Sequence, residues 1–286
     1  MKIIKQKNEV EIHDIPDFDL AKTFECGQCF RWNVVDRSEK SDDNLTYIGI
    51  AHGHAIKLRQ SGNTIFMSCN TEDFESIWRS YFDLDRDYSR IRNHLCIDDY
   101  MQKATGFGKG IRLLRQDKWE TLCSFIISQN NNIPRIKTII NTLCQSFGDS
   151  ISFEGNEYQT FPSAARLVSI DASDLAPLRC GYRAEYIIKA AKAVAGNEID
   201  LEELANSTPD RARASLKKLH GVGDKVADCV MLFGLHMLDA FPVDVWMKRA
   251  VAKHYGPDFD PKIFNPYSGI AQQYIFYYSR NEKKKQ

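Results

Sequence analysis

Apolar and polar positions alternate along much of the first 70 residues. The runs NLTYIGIA, HAIKLRQ and NTIFMSC are rich in β-formers, and this pattern predicts half-buried strands. Ser61-Gly62-Asn63 separates the last two runs and reads as a hairpin turn. SEKSDDN, Ser38–Asn44, reads as a polar loop. Together these segments predict an antiparallel sheet. From Thr71 the period lengthens. Phe74, Ile77, Trp78 and Tyr81 fall at i, i+3, i+4 and i+7, with Glu72 and Asp73 in the first turn; this is the signature of a helix.

Nearly everything that follows carries helical spacing. Asp117 and Glu120 form a capping box ahead of WETLCSFIIS. NNNIPRIKTIINTLCQSFG has asparagine caps, an early proline and a closing Gly148, with Ile133, Ile136, Ile140, Leu143 and Phe147 on one face. GYRAEYIIKAAKAVAG predicts another helix ended by Gly196, and Thr208-Pro209 starts the next. The pattern predicts an α+β fold: an N-terminal antiparallel sheet domain with helices over 1–105, then an all-helical body over 106–286. No low-complexity linker marks the boundary.

Composition narrows the function classes. The chain has 286 residues and is 43% hydrophobic, enough to build a sizeable core. No apolar run approaches the roughly 18 residues needed to cross a bilayer, and MKIIKQKNEVEIHD is too polar for a secretory signal. An intracellular protein without a membrane partner is expected. Equal numbers of basic and acidic residues, 38 each, argue against nucleic-acid binding through bulk charge. They leave open a binder that uses a local surface and backbone amides. The terminal RNEKKKQ is basic and reads as a solvated tail.

Eight cysteines are present, and only Cys26 and Cys29, in ECGQCFRW, are closely spaced. A structural zinc site needs a second close pair of ligands. A four-cysteine cluster is disfavoured because only Cys229 lies beyond residue 180. A thioredoxin-like pair opens a helix in a βαβ unit, whereas CFRW runs toward strand-like sequence. No metal is expected, and Cys26 and Cys29 read as packing residues.

The stretch LKKLHGVGDKVADCVMLFGL, Leu216–Leu235, carries the strongest chemical signal. It reads as a helical hairpin over 209–235 whose tight turn is Gly221-Val222-Gly223. Glycines there allow positive φ and close backbone approach. The amides of the turn and of the next helix then form an anion site suited to a DNA phosphate, without a basic surface. Lys225 sits in the first turn of that second helix. A nucleophilic lysine must shed its proton, which takes about 3 kcal/mol at working pH. A helix start supplies at most about 2 kcal/mol, so such a lysine has to be shielded from water as well. Asp244, in FPVDVWMKRAVAKHYG, precedes another helical run. As an N-cap its carboxylate stays fixed and ionised, as a reaction through a sugar cation requires. In isolation each residue also fits a plain role: a solvated lysine, a capping aspartate, an ordinary αα-hairpin.

HGVGDKVADC followed by PVDV resembles the helix-hairpin-helix base-excision glycosylases (HhH-GPD), and within them the 8-oxoguanine glycosylase/AP lyase branch. GQCFRW, LLRQDKWETLCSFIISQNNNIPRI, GYRAEY and AQQYIF resemble that branch in the same order, over roughly residues 25 to 280. The resemblance implies an enzyme that flips the damaged nucleotide out of duplex DNA. Lys225 would attack C1′ of the sugar and form a Schiff base, with Asp244 stabilising the sugar cation. It implies that Gly27 offers its carbonyl to N7–H of 8-oxoguanine. Cys229 and Phe276 would sandwich the base, and Gln272 would bond its Watson–Crick edge. Asn130, Arg135 and Arg183 would read the cytosine left behind, and Tyr182 would wedge beside it. Gly221 and Gly223 would grip the backbone.

The expected partner is double-stranded DNA containing 8-oxoguanine, bound by a monomer in the cytoplasm, nucleoid or nucleus. No organic cofactor is implied, and the hairpin carbonyls are a candidate seat for a monovalent cation. Two positions depart from the family pattern: Trp246 where histidine is usual, and the acidic Asp224 beside Lys225. Trp32, Trp78 and Trp119 read as core. Three rivals stay open: a glycosylase for another damaged purine, a non-enzymatic DNA-structure binder, and a dithiol oxidoreductase at Cys26 and Cys29.

Overall fold

Alternation builds one six-stranded antiparallel sheet from β1 (Lys2–Lys5), β2 (Val10–His13), β3 (Trp32–Arg37), β4 (Asn44–Ala51), β5 (His54–Ser61) and β6 (Thr64–Met67). The spatial order is β1-β2-β6-β5-β4-β3. Register places Val10 and Leu58 opposite Met67, and Ile12 opposite Ile65. These side chains and Ile56 are buried, so one face of the sheet is core. Gly62 takes a φ of 55° in the two-residue turn joining Ser61 to Thr64. This computed structural model describes residues 1–37 and 44–282. The polar loop at 38–43 and the end of the basic tail, 283–286, lie outside the described residues.

A short helix, α1 (Leu20–Glu25), breaks into the strand-rich stretch. Asp19 caps it by accepting from the Lys22 amide at 2.9 Å. Six residues are too few to display a helical period, so alternation concealed it. The segment expected as one regular helix over 71–81 is α2 (Thr71–Asp73), a π-helical turn (Phe74–Trp78) and α3 (Arg79–Tyr81). The wider turn lets Phe74, Trp78, Tyr81 and Phe82 all be buried, and leaves Ile77 half-buried.

Further helices follow in chain order: α4 (Tyr88–Leu95), α5 (Asp99–Phe107), α6 (Lys118–Ser128), α7 (Ile133–Phe147), α8 (Ala164–Val168) and α9 (Arg183–Ala195). Then come α10 (Leu201–Ala205), α11 (Pro209–Leu216), α12 (Asp224–Phe233), α13 (Val245–His254) and α14 (Ser268–Glu282). One hairpin, β7 (Ser150–Phe153) with β8 (Asn156–Gln159), interrupts the helical body. Its turn residues Glu154 and Gly155 both have positive φ, 48° and 76°. Glycine tolerates this freely and glutamate less so, which is why the sequence signal for the turn was weak. Among the described residues no helix is long and apolar enough to cross a membrane.

The chain divides into two units of interleaved sequence: Met1–Gly49, Ile56–Arg115 and Val243–Gln286 in the first, Ile50–Ala55 and Gln116–Pro242 in the second. An aromatic stack anchors the first. Phe24 lies on Trp32 with centroids 4.0 Å apart and planes at 6°, and the indole donates to the Tyr81 hydroxyl at 2.9 Å. A Cβ on Gly49 would lie 2.3 Å from the Trp32 ring, so only glycine fits there. Trp32 and Trp78 are core as expected. Trp119 is half-buried and donates to the Pro162 carbonyl at 2.9 Å.

Candidate active site

The second unit holds the hairpin. Thr208 caps α11 and Pro209 occupies its first position, where a missing N–H costs nothing. Of the two turn glycines only Gly221 has positive φ, 83°; Gly223 is extended, with φ −97° and ψ −175°. At Gly221 a Cβ would fall 2.2 Å from the Tyr186 ring, so the ring of α9 packs where a side chain would have been. Gly223 has open space around it and caps α12 without any side chain. The first amides of α12 therefore lack the side-chain acceptor that Asp117, Asn132 and Asp244 give α6, α7 and α13.

Lys225 lies in the first turn of α12. Its Nζ donates to the Ser128 hydroxyl at 3.2 Å and sits 5.0 Å from the centroid of the Phe125 ring. Ser128 ends α6 and donates to the Phe125 carbonyl at 2.8 Å, which turns its oxygen toward the amine. Phe125 in turn stacks on Phe233 of α12, centroids 5.2 Å apart. Lys225 is half-buried and has no ion-pair partner within its unit among the described residues. The amine thus meets an aromatic face and one hydroxyl. Ser128 and Phe125 escaped the sequence reading: both lie in a quoted motif, but nothing in the spacing ties them to Lys225. Cys229 is one helical turn further on and buried.

Asp224 turns to Lys217, the residue that ends α11 as its C-cap, with Oδ1 2.6 Å from Nζ. This ion pair holds its carboxyl below the usual range. It neither caps α12 nor pairs with Lys225.

Asn130, Arg135, Tyr182 and Arg183 share the second unit. Asn130 is left-handed, φ 46°, in the loop between α6 and α7. Arg183 was expected to face solvent or DNA, and it is 6% exposed. Its Nε donates to the Gln129 carbonyl at 2.9 Å, Nη1 to Cys180 at 3.1 Å, and Nη2 to Asn130 at 3.2 Å. A further, short bond runs from Nη2 to Gln129. The guanidinium therefore pins the Asn130 loop to the start of α9. It also lies 4.5 Å from the centroid of the Tyr182 ring, which is 51% exposed. Arg135 is exposed and donates to the Arg179 carbonyl at 3.1 Å.

Gly27, Asp244, Gln272 and Phe276 belong to the first unit. Asp244 caps α13, its Oδ1 accepting from the Met247 amide at 2.8 Å. Trp246 beside it is 38% exposed. Gly27 has a φ of 89°, in the loop that leaves α1. The loop is held by Gln28, fully buried. Its amide donates to the Thr23 and Arg112 carbonyls at 2.9 and 2.7 Å and accepts from the Leu114 amide at 3.0 Å. Nothing in the sequence pattern signalled this glutamine. Burial pushes the Cys26 thiol up to about 12, far from the depressed value of a reactive dithiol. All eight cysteines are free thiols, and among the described residues no group of histidine, cysteine and acidic side chains could hold a metal.

Gln272, Phe276 and Arg280 follow one face of α14 at four-residue spacing. Gln272 Oε1 accepts from Gln273 at 2.7 Å, and Arg280 lies 5.2 Å from the Phe276 centroid. α14 packs on α5 and on α13, the helix that Asp244 caps.

Comparison with known proteins now decides the family. Residues 11–122 match the 8-oxoguanine DNA glycosylase N-terminal domain, and residues 123–263 match the HhH-GPD superfamily of base excision DNA repair proteins. The N-glycosylase/DNA lyase of Saccharomyces cerevisiae is 33% identical over 82% of this chain and 68% of its own. This chain belongs to the 8-oxoguanine glycosylase branch of the HhH-GPD family. The structure of MBOgg1 with a low-affinity DNA ligand superposes with a TM-score of 0.91 at 43% identity, covering 99% of both chains. The Clostridium acetobutylicum 8-oxoguanine glycosylase/lyase, bound to duplex DNA with cytosine opposite 8-oxoguanine, gives 0.90 at 37% identity and the same coverage.

Proposed function

We propose that this chain excises 8-oxoguanine from duplex DNA, preferably opposite cytosine, and then cleaves the abasic strand by β-elimination. The observation that carries this reading is the Lys225 amine. It stands at the start of α12 behind a bare glycine cap, against the Phe125 ring and 3.2 Å from a single hydroxyl.

The extruded sugar meets Lys225 and Asp244 together. The amine attacks C1′, the C1′–N9 bond breaks, and the base leaves with its electron pair and takes up a proton. Opening of the sugar ring gives a Schiff base to Lys225. Loss of a C2′ proton then expels the 3′ phosphate and nicks the strand. The Asp244 carboxylate, fixed by the Met247 amide, opposes the positive charge that develops on the sugar. The Gly27 carbonyl accepts from N7–H of 8-oxoguanine; guanine presents a lone pair there and is repelled. That switch is worth about 1–3 kcal/mol. Gln272 bonds the Watson–Crick edge while Phe276 and Cys229 enclose the ring.

Across the duplex, Asn130, Arg135 and Arg183 address the cytosine, and Tyr182 fills the vacated stack. Arg183 exchanges some of its carbonyl bonds for the base on binding. The amides around Gly221 and Gly223 take a backbone phosphate. The protein acts as a monomer at cellular DNA. Cleavage of duplexes carrying 8-oxoguanine opposite each of the four bases, with undamaged guanine as control, tests the reading. Cutting should be fastest opposite cytosine and absent at guanine; equal cutting at guanine would overturn it.

A further inference from the structure

The cations of α11 are not free. Arg211 pairs with Glu203, Arg213 with Asp228, and Lys217 with Asp224. The last pair differs from the others because it spans the glycine turn itself: Lys217 follows α11, and Asp224 is the first residue of α12. The Asp224 side chain is 73% exposed, in the first turn of a helix whose glycine cap offers no side-chain acceptor. A carboxylate there places negative charge beside amides that would otherwise meet a phosphate. It also occupies the Lys217 amine. Both effects weaken the hold on DNA without altering the hairpin fold.

We propose that the Lys217–Asp224 ion pair is a built-in brake on the hairpin's grip, so that duplex is bound less tightly and released faster than the amide site alone would allow. The inference rests on the hairpin–phosphate contact proposed above. When Asp224 loses its charge, Lys217 is freed to pair with phosphate and the repulsion disappears. When Lys217 is lost, the carboxylate stands unmasked. The two substitutions should therefore move affinity in opposite directions. A pair that is merely exposed and structural would leave affinity unchanged.

The experiment is fluorescence anisotropy on a duplex carrying an uncleavable abasic analogue opposite cytosine, titrated at several salt concentrations. Asp224→Asn should bind about two- to fivefold tighter, with a salt slope steeper by about 0.9 for one added phosphate contact. Lys217→Gln should bind more weakly than wild type, and the double variant should lie between the two. Asp224→Asn binding no tighter than wild type, with an unchanged slope, overturns the brake. Borohydride trapping of wild type on 8-oxoguanine duplex reports on the underlying reading separately. An adduct together with an unaltered Asp224→Asn affinity rejects the brake alone.

Discussion

Two glycines with nearly the same positive φ, Gly27 at 89° and Gly221 at 83°, are held by opposite means. Gly221 is held from outside: the Tyr186 ring fills the space where its Cβ would be. That ring also packs edge-on against His220 and Tyr182, at 4.8 and 5.3 Å between centroids. Gly27 is held from inside, by a neighbouring buried amide that makes three hydrogen bonds to backbone. The contrast suits the two tasks proposed for them. A turn that takes any phosphate needs only a bare backbone and a rigid wall. A carbonyl that separates N7–H from a lone pair must be fixed to within a fraction of a hydrogen-bond length, and a buried network does that.

The largest expected effect lies beside Gly221. Lys225→Gln should lower base excision by roughly three to six orders of magnitude, measured in single turnovers, while leaving binding to undamaged duplex close to wild type. Next is Gly221→Ala, which forces a methyl group into the Tyr186 ring at positive φ. It should weaken duplex binding at least tenfold and cost about 1–3 kcal/mol of stability in urea unfolding. If the ring is the wall, adding Tyr186→Ala should restore part of that stability.

On the other side, Gln28→Ala removes three buried bonds and should cost about 2–4 kcal/mol. Its sharper signature is functional. The preference for 8-oxoguanine over guanine should shrink more than cleavage of a preformed abasic site, because only the first depends on the Gly27 carbonyl. Equal losses in both assays would contradict the assignment.

The smallest effect belongs to the cysteines that flank Gly27. Cys26→Ser with Cys29→Ser should leave excision within about twofold of wild type, since the Cys26 Sγ–H bond to the Thr23 carbonyl at 3.3 Å is one a hydroxyl can also make. At pH 8 the buried Cys26 thiol should resist iodoacetamide until the chain unfolds, as followed by mass spectrometry. The sign with pH follows from its raised value. Above pH 9.0 the unfolded chain loses this proton first, so stability tied to Cys26 falls as pH climbs toward about 12.

Physical reading of the sequence reached the hairpin because its signals are local. A proline start, a Gly-x-Gly turn and an apolar helical face lie within 27 residues, 209–235. It reached the sheet for the same reason. It did not reach Gln28, Ser128 or Tyr186, whose roles come from partners far along the chain: Arg112 for Gln28, Lys225 for Ser128, Gly221 for Tyr186. No period or spacing encodes such pairs. Gly27 itself was legible only through resemblance, because a glycine between two cysteines points first to redox chemistry. Arg183 shows the reverse limit. Resemblance suggested a reader of the cytosine, and tertiary packing shows it buried and bonded to the Asn130 loop in the absence of DNA. Of the two departures from the family pattern, Asp224 finds its partner in Lys217, which no spacing in the sequence signals, and nothing in the structure explains Trp246.

Everything turns on one amine, so the most direct test is to catch it. Incubation with duplex containing 8-oxoguanine opposite cytosine, in the presence of sodium borohydride, should reduce the Schiff base to a stable protein–DNA adduct. Peptide mapping should then place the deoxyribose remnant on Lys225 and nowhere else. Excision of the base without any adduct, or an adduct mapped to another lysine or to the N-terminal amine, would contradict the account.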